Sequence, residues 1–256
     1  MCELLGMSAN VPTDICFSFS GLMQRGGGTD HHRDGWGIAF YEGNGCRTFH
    51  DPQPSVDSEI ANLVRDYSIK SKIVISHIRK ATHGRVCLEN THPFVREMWG
   101  RNWTFAHNGK LPGIKKLRLD HYQPIGGTDS EHAFCWMLGE IRRRHPSAPR
   151  GRRALNALIQ DLTDEIASHG IFNMLLSDSR DLFTYSTTKL SYLTRRAPFG
   201  PASLIDDEVS VDFRKETTPK DVVTVIATRP LTEDEPWVEL AHNRLTVFRE
   251  GIPLKG

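Results

Sequence analysis

The 256-residue chain has no Cys-x-x-Cys pair: its five cysteines stand at 2, 16, 46, 87 and 135, an odd set. Neither a disulfide framework nor a zinc ribbon fits that distribution, and thiols spread in this way point to a reducing compartment. An excess of one charge is also missing, with 32 Lys and Arg against 31 Asp and Glu. Such a balance removes the electrostatic argument for nucleic acid or an anionic membrane and favours a small-molecule partner. No apolar run approaches the ~20 residues that span a bilayer, and Glu3 stands where a signal peptide carries basic residues. A soluble, cytoplasmic protein is the expectation. Low-complexity linkers and internal repeats are lacking too. The weakest seam, "RRRHPSAPRGRR" at 142–153, has no interleaved aromatics and reads as a solvated loop.

What is present alternates between two periodicities. Ile15, Phe19, Leu22 and Met23 recur at helical spacing before three glycines, and "VDSEIANLVRDY", "TDSEHAFCWMLGEIRRR" and "RALNALIQDLTDEIASHG" read as further helices, the last closed by Gly170. "GWGIAFYEGNGCRTF" alternates about a Gly-Asn-Gly turn and predicts a hairpin. Strands are predicted at "KIVISHI", "NWTFAHN", "IFNMLLSD", "LFTYSTT", "SYLTRR", "DVVTVIAT" and "RLTVFREG". Strands, then helices, then strands is the order of a layered α+β domain rather than a βαβ alternation.

Cysteine at position 2 is chemically distinctive. A small side chain there leaves Met1 open to removal, and Cys2 would then carry a thiol and a free α-amine on one carbon. Their ordinary pKa values, about 8.5 and about 8, let one residue supply both nucleophile and base. Four stretches accompany it in order: "RDGWGIAFY" (33–41), "HIRKATHG" (77–84), "FAHNGKL" (105–111) and "GGTDSEHAF" (126–134), where Thr128 and Glu131 have capping-box spacing.

An N-terminal cysteine followed by this ordered set resembles the glutaminase domain of class II glutamine amidotransferases, the N-terminal-nucleophile group. The likeness is strongest over 2–134 and runs through "IFNMLLSD" and "VVTVIATRPLTEDEPW". It is nearest to the small stand-alone members. The resemblance implies one α+β domain over 2–256, a four-layer αββα sandwich with two antiparallel sheets. It also implies cleavage of a glutamine side-chain amide, or a γ-glutamyl amide, through a γ-glutamyl thioester on Cys2, with no cofactor and no metal.

The carry-over assigns the oxyanion donors to the Asn108 side chain and the Gly109 N–H, although Asn-Gly after a strand also reads as a simple turn. Arg79 is the clamp for the α-carboxylate, through two parallel hydrogen bonds. Asp129 would take the α-ammonium, although an acid in a first helical turn also complements the helix dipole. Thr82 and His83 fall beside the carboxylate, and His92 near the same pocket, where an ordinary buried histidine is an equal reading. Lys80 departs from the family, many of whose members have an aromatic residue there, so the lid over the pocket is expected to differ.

Asp34 and Trp36 are candidates for the wall near the nucleophile, with a core role equally open for Trp36. The His31-His32 pair of "TDHHRDGWG" has no acidic or sulfur partner at a ligand spacing, so no metal is expected. No length is left over for a synthase domain. Ammonia therefore goes to a separate synthetase partner, or the enzyme simply hydrolyses a γ-glutamyl metabolite. A catalytically silent glutamine-binding regulatory domain is the third reading.

Overall fold

The computed structural model describes residues 2–81, 84–213 and 218–254; Thr82 and His83, two of the expected substrate contacts, lie outside the described residues. The chain runs β1 (Glu3–Thr13), α1 (Cys16–Gln24), β2 (Trp36–Glu42), β3 (Gly45–Asp51), α2 (Glu59–Asp66), β4 (Ser71–Ile78), β5 (Phe94–Met98) and β6 (Arg101–Lys110). Two helices follow, α3 (Asp129–Arg144) and α4 (Arg152–Ala167). The second half is β7 (Ile171–Ser177), β8 (Leu182–Tyr185), β9 (Ser191–Arg196), β10 (Pro201–Ser203), β11 (Ser210–Asp212), β12 (Val222–Ala227), β13 (Val238–Glu239), β14 (Thr246–Arg249) and β15 (Ile252–Pro253).

Seven strands form one sheet in the order β13-β9-β12-β1-β4-β2-β3 and six form another in the order β15-β14-β8-β7-β6-β5, with β10 and β11 as a separate pair. Neighbouring strands in all three are antiparallel. The expected hairpin is β2-β3, closed at Glu42 and Gly45.

Side-chain alternation explains the layers. In β1, Leu5, Met7 and Ala9 join a core with Phe19 and Leu22 of α1 and Ala61 and Val64 of α2, whereas Leu4 points the other way into a core shared with Ala106, Leu175 and Phe248. A strand buried on both faces has no polar side to alternate with, so its sequence reads simply as apolar. The third core lies beyond the six-stranded sheet, where Phe105 stacks on Phe134 of α3 at 5.0 Å and Leu155, Ile159 and Leu162 come from α4. The result is the αββα sandwich. Each fully buried Leu, Ile or Phe contributes roughly 1.5–3 kcal/mol, so the three cores dominate the fold's stability.

Polar groups pin the two sheets together at one end. Tyr41, leaving β2, meets the Thr104 hydroxyl at 2.6 Å and donates toward the Asn102 and Ser177 carbonyls at 3.0 Å. At the opposite end Cys2 precedes β1, Arg79 follows β4, and Asn108 and Gly109 lie in the last residues of β6. Among the described residues, no helix is long and apolar enough to cross a membrane.

Candidate active site

Cys2 precedes β1, and the pairing of Glu3 with Ile78 sets it against the chain leaving β4. Its sulfur accepts from the Lys80 N–H at 3.3 Å and donates to the Lys80 carbonyl at 3.5 Å. Although part of Cys2 is exposed, loss of hydration pushes its thiol above the ordinary value, against the lowering effects of the Lys80 N–H and the Arg79 charge.

Arg79 is buried at the end of β4. Its N–H donates to Gly35 O at 2.8 Å and its Nη1 to Arg85 O at 3.0 Å. Asp34 braces the same turn: its N–H donates to Arg79 O, and its Oδ2 accepts from Ala81 N at 2.7 Å. Trp36, in contrast, is a core residue, fully buried 5.6 Å from Phe19.

Asn108 and Gly109 end β6. Asn108 lies on the inter-sheet face with Ala106, is fully buried, and among the described residues neither polar atom of its side chain has a hydrogen-bond partner. Such a group costs about 1–3 kcal/mol. A donor kept unpaired inside a protein is what a reaction that develops charge nearby requires. Gly109 is required sterically, because a Cβ there would lie 1.8 Å from Ile171 O and 2.7 Å from His107 Nε2. Burial lowers the His107 pKa, so its ring is neutral; Nε2–H donates to Ile171 O at 3.1 Å and Nδ1 accepts from Ser130 Oγ at 2.8 Å, fastening β6 to α3.

Asp129 opens α3. One carboxylate oxygen accepts from Leu111 N at 2.8 Å and the other from Ser130 N at 2.9 Å. A cavity of about 260 Å³ is lined by Gly84, Lys110, Leu111, Gly127, Thr128 and Asp129. Gly84 also borders Arg79, whose Nη2 lies 3.6 Å from where its Cβ would be. Asp129 lines this hollow, and Arg79 borders it through Gly84 without itself forming part of the lining.

The capping box forms only by half. Thr128 Oγ1 accepts from Glu131 N at 3.1 Å, but the Glu131 carboxylate turns to Ile125 N at 2.9 Å, Gly126 N at 2.8 Å and Arg96 instead of back to the cap. Glu131 thus holds the glycine loop that leads to Asp129. Asn90, which the sequence did not single out, joins both loops: its Nδ2 donates to Arg85 O at 3.0 Å and its Oδ1 accepts from Gly127 N at 2.8 Å.

His92 sits inside the protein, its ring packed at a tilt against His77 at 4.2 Å and Phe94 at 4.4 Å. Burial first, then neighbouring positive groups, drive both histidines down, His77 to about 3 and His92 well below its usual value.

His32 has an acidic neighbourhood that spacing alone did not reveal. Ligand atoms of Glu3, Asp30 and His32 lie within 4.8 Å of one another. Arg25 meets Glu3 at 3.0 Å, and Arg229 meets Glu3 at 3.1 Å and Asp30 at 2.8 Å. Two guanidinium groups already neutralise those carboxylates, so the cluster reads as an ion-pair network.

A sequence profile of the class II glutamine amidotransferases matches residues 1–255. The chain belongs to this family. Among proteins similar to this amidotransferase is YafJ of Escherichia coli (strain K12), itself assigned as a glutamine amidotransferase, 60% identical over 248 residues that cover 97% of each chain. A Haemophilus influenzae protein with the same assignment is 47% identical over 98% of this chain and 85% of its own. A 2.0 Å crystal structure of a glutamine amidotransferase, so assigned, from Pseudomonas aeruginosa PA01 superposes with a TM-score of 0.80 at 52% identity over the whole of both chains. At 14% identity, the glutamine phosphoribosylpyrophosphate amidotransferase of B. subtilis shares the fold with a TM-score of 0.66, over 97% of this chain and 47% of that one. The enzyme class and the kinship with small members agree with the motif order.

Proposed function

We propose that residues 2–256 act as one glutaminase domain in which Cys2, once Met1 is removed, cleaves the side-chain amide of glutamine or a γ-glutamyl amide. The α-amine of Cys2 takes the thiol proton as sulfur attacks the carbonyl carbon. Negative charge on the tetrahedral oxygen falls to Asn108 Nδ2 and the Gly109 N–H. The C–N bond then breaks, the amine returns its proton to the departing nitrogen, and ammonia leaves a γ-glutamyl thioester. Water, deprotonated by the same amine, attacks the thioester, and glutamate departs as the Cys2 thiol is restored. Arg79 holds the α-carboxylate and Asp129 the α-ammonium, with Thr82 and His83 beside the former. His92, packed against His77, lies near the same pocket.

The half-reaction as written uses only side chains, backbone and water. A thiol that must stay reduced suits the cytoplasm. Ammonia passes to a separate synthetase partner or is released; glutamate formation is common to both.

The observation that carries this reading is the buried, unpartnered Asn108 amide at the end of the sheet pair where Cys2 and Arg79 meet. The test is glutamate release from glutamine by purified protein whose intact mass shows Cys2 first. Cys2→Ala abolishes it and leaves the far-UV circular dichroism unchanged. Turnover within tenfold of wild type in that variant overturns the assignment.

A further inference from the structure

Asn173 is an isolated polar residue in the apolar strand "IFNMLLS", and it is fully buried. Its Oδ1 accepts from the backbone N–H groups of Thr187 at 3.1 Å, Thr188 at 3.2 Å and Lys189 at 3.4 Å, and from the Ser186 hydroxyl at 3.1 Å. Backbone N–H groups can only donate, so the orientation of this amide is settled without ambiguity. Its other end must be the NH₂. That group donates to Thr188 Oγ1 at 2.9 Å and to the main-chain carbonyl of Asn108 at 3.1 Å.

The Asn108 carbonyl belongs to the peptide whose N–H is that of Gly109. In a trans peptide the C=O and N–H point in opposite directions, so holding one aims the other. Phe172 turns its backbone N–H and C=O toward Thr187, on the β8 side. By the alternation of an antiparallel ladder, Asn173 and Asn108 form a hydrogen-bonded pair in which the Asn173 main-chain N–H also faces the Asn108 carbonyl, so the side-chain NH₂ is that carbonyl's second donor, and the Gly109 N–H points away from β7. On that side β5 begins only at Phe94, opposite Phe105, so it does not extend alongside Gly109. The N–H therefore projects beyond the sheet at the Cys2 end.

We propose that Asn173 is a positioning residue for catalysis, its side-chain amide locking the Asn108–Gly109 peptide plane so that the Gly109 N–H meets the oxyanion of the tetrahedral intermediate. The proposal rests on the glutaminase reading above. Asn173 touches no substrate. Bracing the 186–189 turn uses Oδ1 and the NH₂ bond to Thr188 Oγ1, whereas positioning uses the NH₂ bond to the Asn108 carbonyl, and only positioning moves kcat while leaving glutamate binding unchanged.

Asn173→Asp separates the two. A carboxylate keeps the acceptor for the turn and stays ionised among three N–H donors, but it cannot donate to the Asn108 carbonyl and repels it. The expected result is a folded enzyme with kcat lowered by about thirtyfold, below the full loss of an oxyanion donor. KM for glutamine, and Kd for glutamate by calorimetry, stay within about threefold, since neither depends on tetrahedral geometry. A folded Asn173→Asp enzyme with kcat within about threefold of wild type overturns the proposal.

Should that variant not fold, Thr188→Val decides. It removes the hydroxyl that helps hold the NH₂, and a fall of at least about fivefold in kcat with glutamate binding intact supports the proposal. An unchanged kcat overturns it. Wild type that neither releases glutamate nor is alkylated at Cys2 by a glutamine-like diazoketone overturns the glutaminase reading itself, a result distinct from an active wild type with indifferent variants.

Discussion

Lys80 holds the Cys2 sulfur with both halves of its backbone, the N–H donating at 3.3 Å and the carbonyl accepting at 3.5 Å. With burial pushing the thiol up, sulfur in the resting site keeps its proton and needs a base at the moment of attack. If that base is the Cys2 α-amine, an uncleavable extension before Cys2 leaves a folded protein with activity reduced by at least ~100-fold. Trimming so that Cys2 is first restores it. Equal glutamate release from extended and trimmed protein means that another group is the base.

Arg79 and Asp129 are expected to bind opposite ends of the same substrate. Arg79→Lys loses the forked donor geometry, and Asp129→Asn loses the charge while keeping one acceptor for Leu111 N. Each change lowers kcat/KM for glutamine by about thirtyfold, or ~2 kcal/mol. Thermal melts of both variants separate this from unfolding. Unchanged kinetics in both would leave Arg79 as a turn brace and Asp129 as an acid in the first turn of α3.

Asn90 makes the two ends interdependent. Because it bonds Arg85 O, which Arg79 also uses, and Gly127 N, two residues before Asp129, Asn90→Ala loosens the supports of both Arg79 and Asp129. KM for glutamine rises about tenfold, for ~1.4 kcal/mol, while kcat falls less. An equal fall in kcat with KM unchanged contradicts this.

The adjoining, buried His77 and His92 add an acid sensitivity. Both pKa values are lower in the folded chain than the ordinary 6.5, so the unfolded chain binds more protons once the pH drops below that value. Their contribution to stability is complete above about pH 6.5 and shrinks as pH falls toward about 3 for His77, at up to about 1.4 kcal/mol per pH unit for each ring. Urea melts between about pH 6.5 and 5, above most carboxylate titrations, should show this slope. His92→Phe, which can still stack on Phe94, flattens it; an identical slope in that variant assigns the sensitivity elsewhere.

Helices with one apolar face and strands with turn signals were legible in the chain. α2, α3 and α4 fall where their periodicity places them, and the β2-β3 hairpin closes where Gly43 and Asn44 predict. Less visible was β1, the central strand, because both of its faces are buried and it alternates nothing. β5 was missed as well, since it is a five-residue strand whose Val95, Arg96 and Glu97 look like a loop. Cys2, Arg79, Asn108 and Asp129, the residues of the proposed site, were picked out by family pattern. Its supports were not. Asn90 reaches 37 residues to Gly127, and Asn173 reaches 65 back to Asn108. Hydrogen bonds at such separations leave no local spacing to read. The one available hint was an asparagine stranded among apolar neighbours in β7.

The Arg25 and Arg229 contacts to Glu3 acquire a further meaning if the mature chain starts one residue before it. Chain ends ordinarily fray, and a nucleophile on a fraying end would surrender to its own wandering much of what preorganisation supplies to an enzyme. Here the first side chain after Cys2 is a buried carboxylate fastened by two guanidinium groups, while Leu4 N donates to Thr228 Oγ1 at 2.9 Å. A terminus processed in that way would be moored at its second link, and the amine and thiol of the first would keep a fixed address.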